Sequence, residues 1–192
     1  MKSTAFYRFM CWYDAYWRRK HGVERFNDLL SFSFETFTGE RRVMNDGTWI
    51  EPGDHLAILH FNRECFMNSS ANPKHYIRNA LRFRKLLMSS FQNLAEQIDE
   101  HEQLTNVKVF HGVSWLPPHG EKLGFLIERL PDSAVNSLRK FYFGVLLRVF
   151  FPHVSALENK SIQPHAYWLT RQNLMKYFSA EPLSNEYISA QK

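Results

Sequence analysis

Five polar residues interrupt otherwise apolar patterns, and their types are those that do acid–base or binding chemistry: His60, Asn62, His111, Glu128 and Arg171. His60 follows Leu56 and Ile58 in a two-residue alternation, and Asn62 ends the same row. His111 stands among Val107, Val109, Val113 and Trp115, again at strand parity. An imidazole titrating near about 6.5 can serve as acid or base, so His60 and His111 are the candidate catalytic pair. Asn62, Glu128, Trp115 and Arg171 are the candidate substrate-binding residues. Glu128 shares a row with Gly124, Leu126 and Leu130, so it lies at a wet sheet edge or is buried with a partner. Arg171 opens a helix, where it suits a phosphate or carboxylate, or an ordinary salt bridge. The competing reading of both histidines is a hydrogen-bonded core imidazole. No nucleophile elbow, P-loop, dinucleotide fingerprint or H-E-x-x-H helix is present. No two of the nine histidines have close ligand spacing, so neither a metal nor a cofactor is expected.

The elements that must position these residues follow from turn signals and periodicity. Thr4 to Lys20 reads as a helix with Phe6, Phe9, Met10, Tyr13, Tyr16 and Trp17 on one face and Arg8, Cys11, Ala15, Arg18 and Arg19 on the other. Ser31 to Thr38 alternates Phe with Ser, a strand with one wet face. Turns at Gly39-Glu40, Asp46-Gly47 and Pro52-Gly53 then imply an antiparallel meander feeding a central strand over 55–62. Asn72-Pro73 starts a long helix to about residue 102, basic in its first half and acidic in its second. The strand 107–115 pairs with 122–130 as a hairpin, and a buried helix spans 133–151. A short strand over 166–169 precedes a final helix, Arg171 to Phe178, capped by Thr170. The expected fold is α+β: a largely antiparallel mixed sheet covered by the 73–102 helix, the 133–151 helix and terminal helices. One domain covers 1–180, with helix 4–20 peripheral, and 181–192 forms a loose tail.

Composition narrows the function classes. The chain has 192 residues, 44% of them hydrophobic, including 17 phenylalanines, which excludes disorder and allows a large core. Two cysteines, Cys11 and Cys65, make no disulfide framework, so a reducing compartment is expected. Aromatic and charged residues break every apolar stretch, so neither a signal peptide nor a membrane span is expected. A net charge of +5 suits anionic lipid, phosphate-bearing substrates or nucleic acid. An aromatic face beside a basic one gives helix 4–20 two readings: packing on the domain, or lying on a membrane surface.

The segments DGTWIEPGDHLAILHFN, HGVSWL…KLGFLIERLP and AYWLTRQNLMKYF together resemble the bacterial YkoP-like domain. The resemblance rests on Gly53-Asp54, the strand end His60-Asn62, Gly124-Phe125, and Trp168 to Arg171, with Leu169-Thr170 where Ile-Ser is expected. It covers most of the chain. It implies a small bacterial domain found alone or beside envelope polysaccharide deacetylase domains, and it supplies no catalytic residues.

Three function classes follow. The first is a cytoplasmic protein, peripheral on the inner face of the membrane, that binds or modifies an anionic or lipid-linked substrate at a polar pocket around His60 and His111. The second is a non-catalytic module covering a partner domain through its aromatic helices. Nucleic-acid binding ranks last, because the aromatics fall at core periodicity and no nucleic-acid motif appears.

Overall fold

The computed structural model describes residues 4–62, 76–114, 120–131 and 163–179, with positions 133, 136, 137, 140 and 144. Trp115, most of the helix expected over 133–151, and the tail 181–192 lie outside the described residues.

The elements, in chain order, are α1 (Thr4–Lys20), β1 (Glu24–Arg25), β2 (Leu30–Thr36), β3 (Arg42–Val43), β4 (Trp49–Ile50), β5 (His55–Phe61), α2 (Tyr76–Gln97), β6 (Val109–Ser114), β7 (Leu126–Arg129), β8 (His165–Thr170) and α3 (Arg171–Phe178). Six strands form one sheet in the order β1-β2-β5-β6-β8-β7, while β3 and β4 pair apart as a ribbon. Among the described strands only β5 and β6 run parallel, joined across α2; the other pairings of the large sheet are antiparallel. The fold is therefore α+β with a mixed sheet.

Each face of the central strands meets its own apolar cover. On one face Leu30, Phe32, Ala57, Phe110 and Leu169 pack against Phe91, Leu94 and Ala95 of α2, Ile98 just beyond its end, and Leu174 and Phe178 of α3. This is the larger core, and its spacing of four along α2 is what presents one stripe to the sheet. On the other face Leu56 and Val109 meet Phe37, Met44 and Ile50 from the ribbon side, with Ile58, Leu126 and Trp168 at the margin.

Three expectations need correction. The strand over 122–130 is not the hairpin partner of 107–115, because β8 lies between them. The β8 segment is apolar on both faces and suits the interior. The four-residue β7, carrying Glu128 and Arg129, suits an edge. The meander is also absent: β2 pairs directly with β5, from Leu30 opposite Phe61 to Thr36 opposite His55, and the turns between them are spent on the separate ribbon. Finally, the "wet" face of β2 is exposed only at Glu35 and is buried at its two serines. Ser31 is 0% and Ser33 4% exposed, because α1 and the polar groups beside it close over them.

The long helix stops at Gln97, short of residue 102. His101 N–H still reaches Gln97 O, but Leu104 and Val107 then turn inward through short hydrogen bonds to His101 O and Leu104 O. Burying Ile98, Leu104 and Val107 together is what a tight turn achieves here and a further helical turn does not. At the other end of the chain, Thr170 is the N-cap of α3, its hydroxyl accepting from Asn173 N–H at 3.0 Å.

Candidate functional site

Parallel pairing of Ile58 with His111 puts His60 and His111 on the same face of the sheet, two residues out of step. They nevertheless belong to two polar clusters, His60 with Ser33 and Trp17, His111 with Tyr167 and Trp168.

The first cluster lies where β5 ends beneath α1. His60 Nε2 is 3.0 Å from Ser33 Oγ, and the Trp17 ring meets the imidazole edge-on at 5.2 Å between centroids. Burial, reinforced by the nearby charges of Arg18 and His21, pushes His60 down to about 4. At neutral pH this imidazole is uncharged, so it offers a hydrogen bond and not a proton supply. Asn62 is 1% exposed and fully engaged. Its amide nitrogen donates to Asn27 O at 2.7 Å, Leu30 O at 3.2 Å and Asp28 O at 3.3 Å, stitching the turn that leads into β2. Its oxygen accepts from Ser31 Oγ and, at 3.1 Å, from Arg18 Nη2. Arg18 Nη1 also donates to Ser31 Oγ at 3.0 Å, and its Nε faces Asp14 at 3.4 Å. The Asn62 side chain is thus committed to holding turn, strand and helix together.

The second cluster is a column on the same face. His111 stacks on Trp168 at 3.8 Å and 24°, with Nδ1 3.2 Å from Tyr167 O. The Arg42 guanidinium lies 4.7 Å from the Trp168 ring centroid and pairs with Glu128 at 2.8 Å. So Glu128 is held by a partner, and that partner comes from the ribbon. Trp168 Nε1 is buried with no hydrogen-bond partner among the described residues, an arrangement that costs about 1–3 kcal/mol.

Arg171 is part of neither cluster. Its Nη1 donates to Leu104 O at 2.8 Å and Thr105 O at 3.1 Å, and its Nη2 pairs with Asp99. It ties the turn after α2 to the start of α3. Arg18, Ser31, Ser33 and Arg42 were not among the site residues expected from the sequence, and Trp168 figured only in the family motif. Only the serines carried a signal, as small hydroxyls at every second position of β2; Arg18 and Arg42 read as ordinary wet charges.

A family model described as the YkoP domain matches residues 4–178, and the chain belongs to that family. No curated protein and no solved structure matches it. The residues that carried the resemblance occupy structural joints. Gly53 has φ +100°, and the next residue, Asp54, accepts from Glu51 N–H at 2.7 Å and Lys108 Nζ at 2.8 Å. Burial opposes ionisation of Asp54, but the Lys108 and Glu51 hydrogen bonds outweigh it and hold the carboxyl below its ordinary value. Gly124 has φ +81°, and its carbonyl accepts from Asn173 Nδ2 at 2.8 Å and Asn45 Nδ2 at 3.2 Å. Thr170 Oγ1 donates to Asp46. The motif thus records turns and braces of this fold.

Among the described residues no helix is long and apolar enough to cross a membrane. The larger feature is α1, whose orientation reverses the packed-helix expectation. Arg18 and Trp17 face the domain, while the stripe Phe9, Trp12, Tyr13 and Tyr16 is 55%, 63%, 43% and 54% exposed. The rings form a ladder, with centroids of Phe9–Trp12 and Trp12–Tyr16 both 6.0 Å apart and Phe9–Tyr13 6.4 Å. Arg8, Arg19 and Lys20 are exposed on the same helix.

Proposed function

We propose that this domain docks on an anionic membrane surface through α1 and there binds or modifies an anionic or lipid-linked small substrate, in the bacterial, envelope-related setting the family resemblance implies and the reducing, cytoplasmic compartment its two cysteines suit. The observation that carries the reading is the exposed aromatic ladder. Four large rings held in water keep apolar surface hydrated at a cost, whereas at a bilayer interface Trp and Tyr place an apolar body and a polar tip where both are solvated. The basic residues Arg8, Arg19 and Lys20 add attraction to anionic headgroups of about 1 kcal/mol each near the surface. On this reading His60 and Asn62 hold α1 in place from below, and Trp168, stacked on His111, has an Nε1–H that meets no acceptor among the described residues.

Flotation with liposomes tests it. The protein is expected to float with vesicles containing anionic lipid and to stay behind with neutral ones. Recovery in the unbound fraction under both conditions would remove the membrane from the proposal. A second reading uses the same ladder: a non-catalytic module whose aromatic face covers a flat apolar surface of a partner domain. Its mark is salt-insensitive binding to protein with none to lipid.

A further inference from the structure

A second site emerges away from both histidine clusters, in an open cleft of about 610 Å³. It lies between the β4–β5 turn, the segment leading into β6, and the first residues of α3, with Asp54, His55, Lys108, Arg171, Gln172 and Met175 among its lining. The volume is that of a small-molecule site. We propose that this cleft binds a small ligand through an oxyanion, a phosphoryl or carboxylate group. The inference rests on the proposed function only for the anionic nature of the ligand; it needs no membrane.

The chemistry of the lining argues for that class. Lys108 and Arg171 are the cations of the lining and Asp54 its carboxylate, while Asp99, outside the lining, pairs with Arg171. That carboxylate already accepts from both Lys108 Nζ and Glu51 N–H, so it is poorly placed to draw a cation. Lys108 spends one of the three ammonium N–H bonds on Asp54, and its side chain is 40% exposed. Arg171 is braced by two carbonyls and by Asp99, so its guanidinium is fixed at the wall with its charge offset by Asp99, and Lys108 is the cation with N–H bonds to spare. His55 is exposed at the mouth. Val107 and Met175 are its apolar side chains, beside the polar Thr48, Thr105 and Gln172.

The test is a backbone-amide NMR titration of the full chain with inorganic phosphate and, separately, with acetate, ionic strength being held constant with chloride. Saturable shifts at Gly53, Lys108 and Gln172 are expected, and the tighter of the two anions identifies the headgroup. Lys108→Gln should weaken binding by about 10-fold, the loss of one charge-assisted contact. Because Lys108 also braces Asp54, His55→Gln provides a variant outside that ion pair, and it should weaken binding by about 3-fold. Weaker binding in either variant, with the fold intact by melting, supports the site. No saturable shift with either anion, or unchanged affinity in both variants, overturns it. Lipid is absent throughout, so this failure is distinct from failure of flotation.

Discussion

Arg18 Nη2 lies 3.1 Å from Asn62 Oδ1, and through this contact an exposed-looking arginine of α1 is tied to a buried amide at the end of β5. The amide also carries three backbone carbonyls, so the pair is a joint and not a surface ion pair. Its two halves have unequal consequences. Asn62→Ala strands buried acceptors and should cost about 2–3 kcal/mol of stability. Arg18→Met keeps most of the packing length, leaves Asn62 its carbonyl partners, and should cost only about 1 kcal/mol. Urea unfolding of the two variants checks the order; equal losses would mean the joint is held elsewhere.

His60 makes stability depend on pH with a definite sign. Its folded value of about 4 lies below the ordinary 6.5. Between those values the unfolded chain binds a proton that the folded chain refuses. This contribution is therefore fully present above pH 6.5 and is lost as pH falls toward 4, by up to about 3 kcal/mol. His60→Gln, which keeps a hydrogen-bonding partner for Ser33, should flatten that slope. Melting temperatures of both proteins across this interval give the comparison, and parallel curves would assign the slope to another group.

The parts of this fold legible in the sequence were those set by local chemistry. Thr4 to Lys20 and Arg171 to Phe178 emerged with their boundaries because caps and apolar spacing mark them, and strand parity correctly put His60 and His111 on one face. Strand order was not legible. Inserting β8 between β6 and β7 depends on which of several apolar strands is apolar on both sides, a comparison across the chain. The direction of α1 was misleading for a physical reason. Periodicity shows that a helix has two faces, while burying Arg18 requires acceptors at Ser31 and Asn62 that only the tertiary structure assembles. The same holds for Arg42, whose partners Glu128 and Trp168 lie far along the chain.

Two glycines with positive φ offer a graded test of the α3 joint. Gly22, at φ +57°, has nothing within 4 Å of a built Cβ, so Gly22→Ala should cost only backbone strain, about 1 kcal/mol. At Gly124, φ +81°, a Cβ would lie 2.7 Å from the Tyr177 ring and 3.0 Å from Asn173 Cβ. Gly124→Ala should therefore lose more, about 2–4 kcal/mol. Adding Tyr177→Ala removes the ring contact, so the double variant should lose less than the sum of the singles. Strict additivity in urea unfolding would show that the clash is relieved by backbone movement.

The aromatic ladder and the basic residues of α1 can be separated, because they act through different forces. Trp12→Ser with Tyr16→Ser removes two rings that are mostly exposed and stack on each other, so melting should change little. Such a variant keeps its charges and should retain a weak, salt-sensitive association with anionic vesicles. Arg8→Gln with Arg19→Gln keeps the rings and removes two charges. At about 1 kcal/mol per charge near the surface, binding to anionic lipid should fall roughly 30-fold, and what remains should respond little to salt. Parent protein should show both dependences, since headgroup attraction is screened over about 10 Å at 0.1 M salt and apolar insertion is not. Flotation at two salt concentrations with the three proteins reads all of this. If the serine variant binds vesicles as the parent does, the ladder is not the docking element. If no protein floats and the serine variant alone loses association with another chain in sedimentation, the exposed stripe belongs to a protein interface.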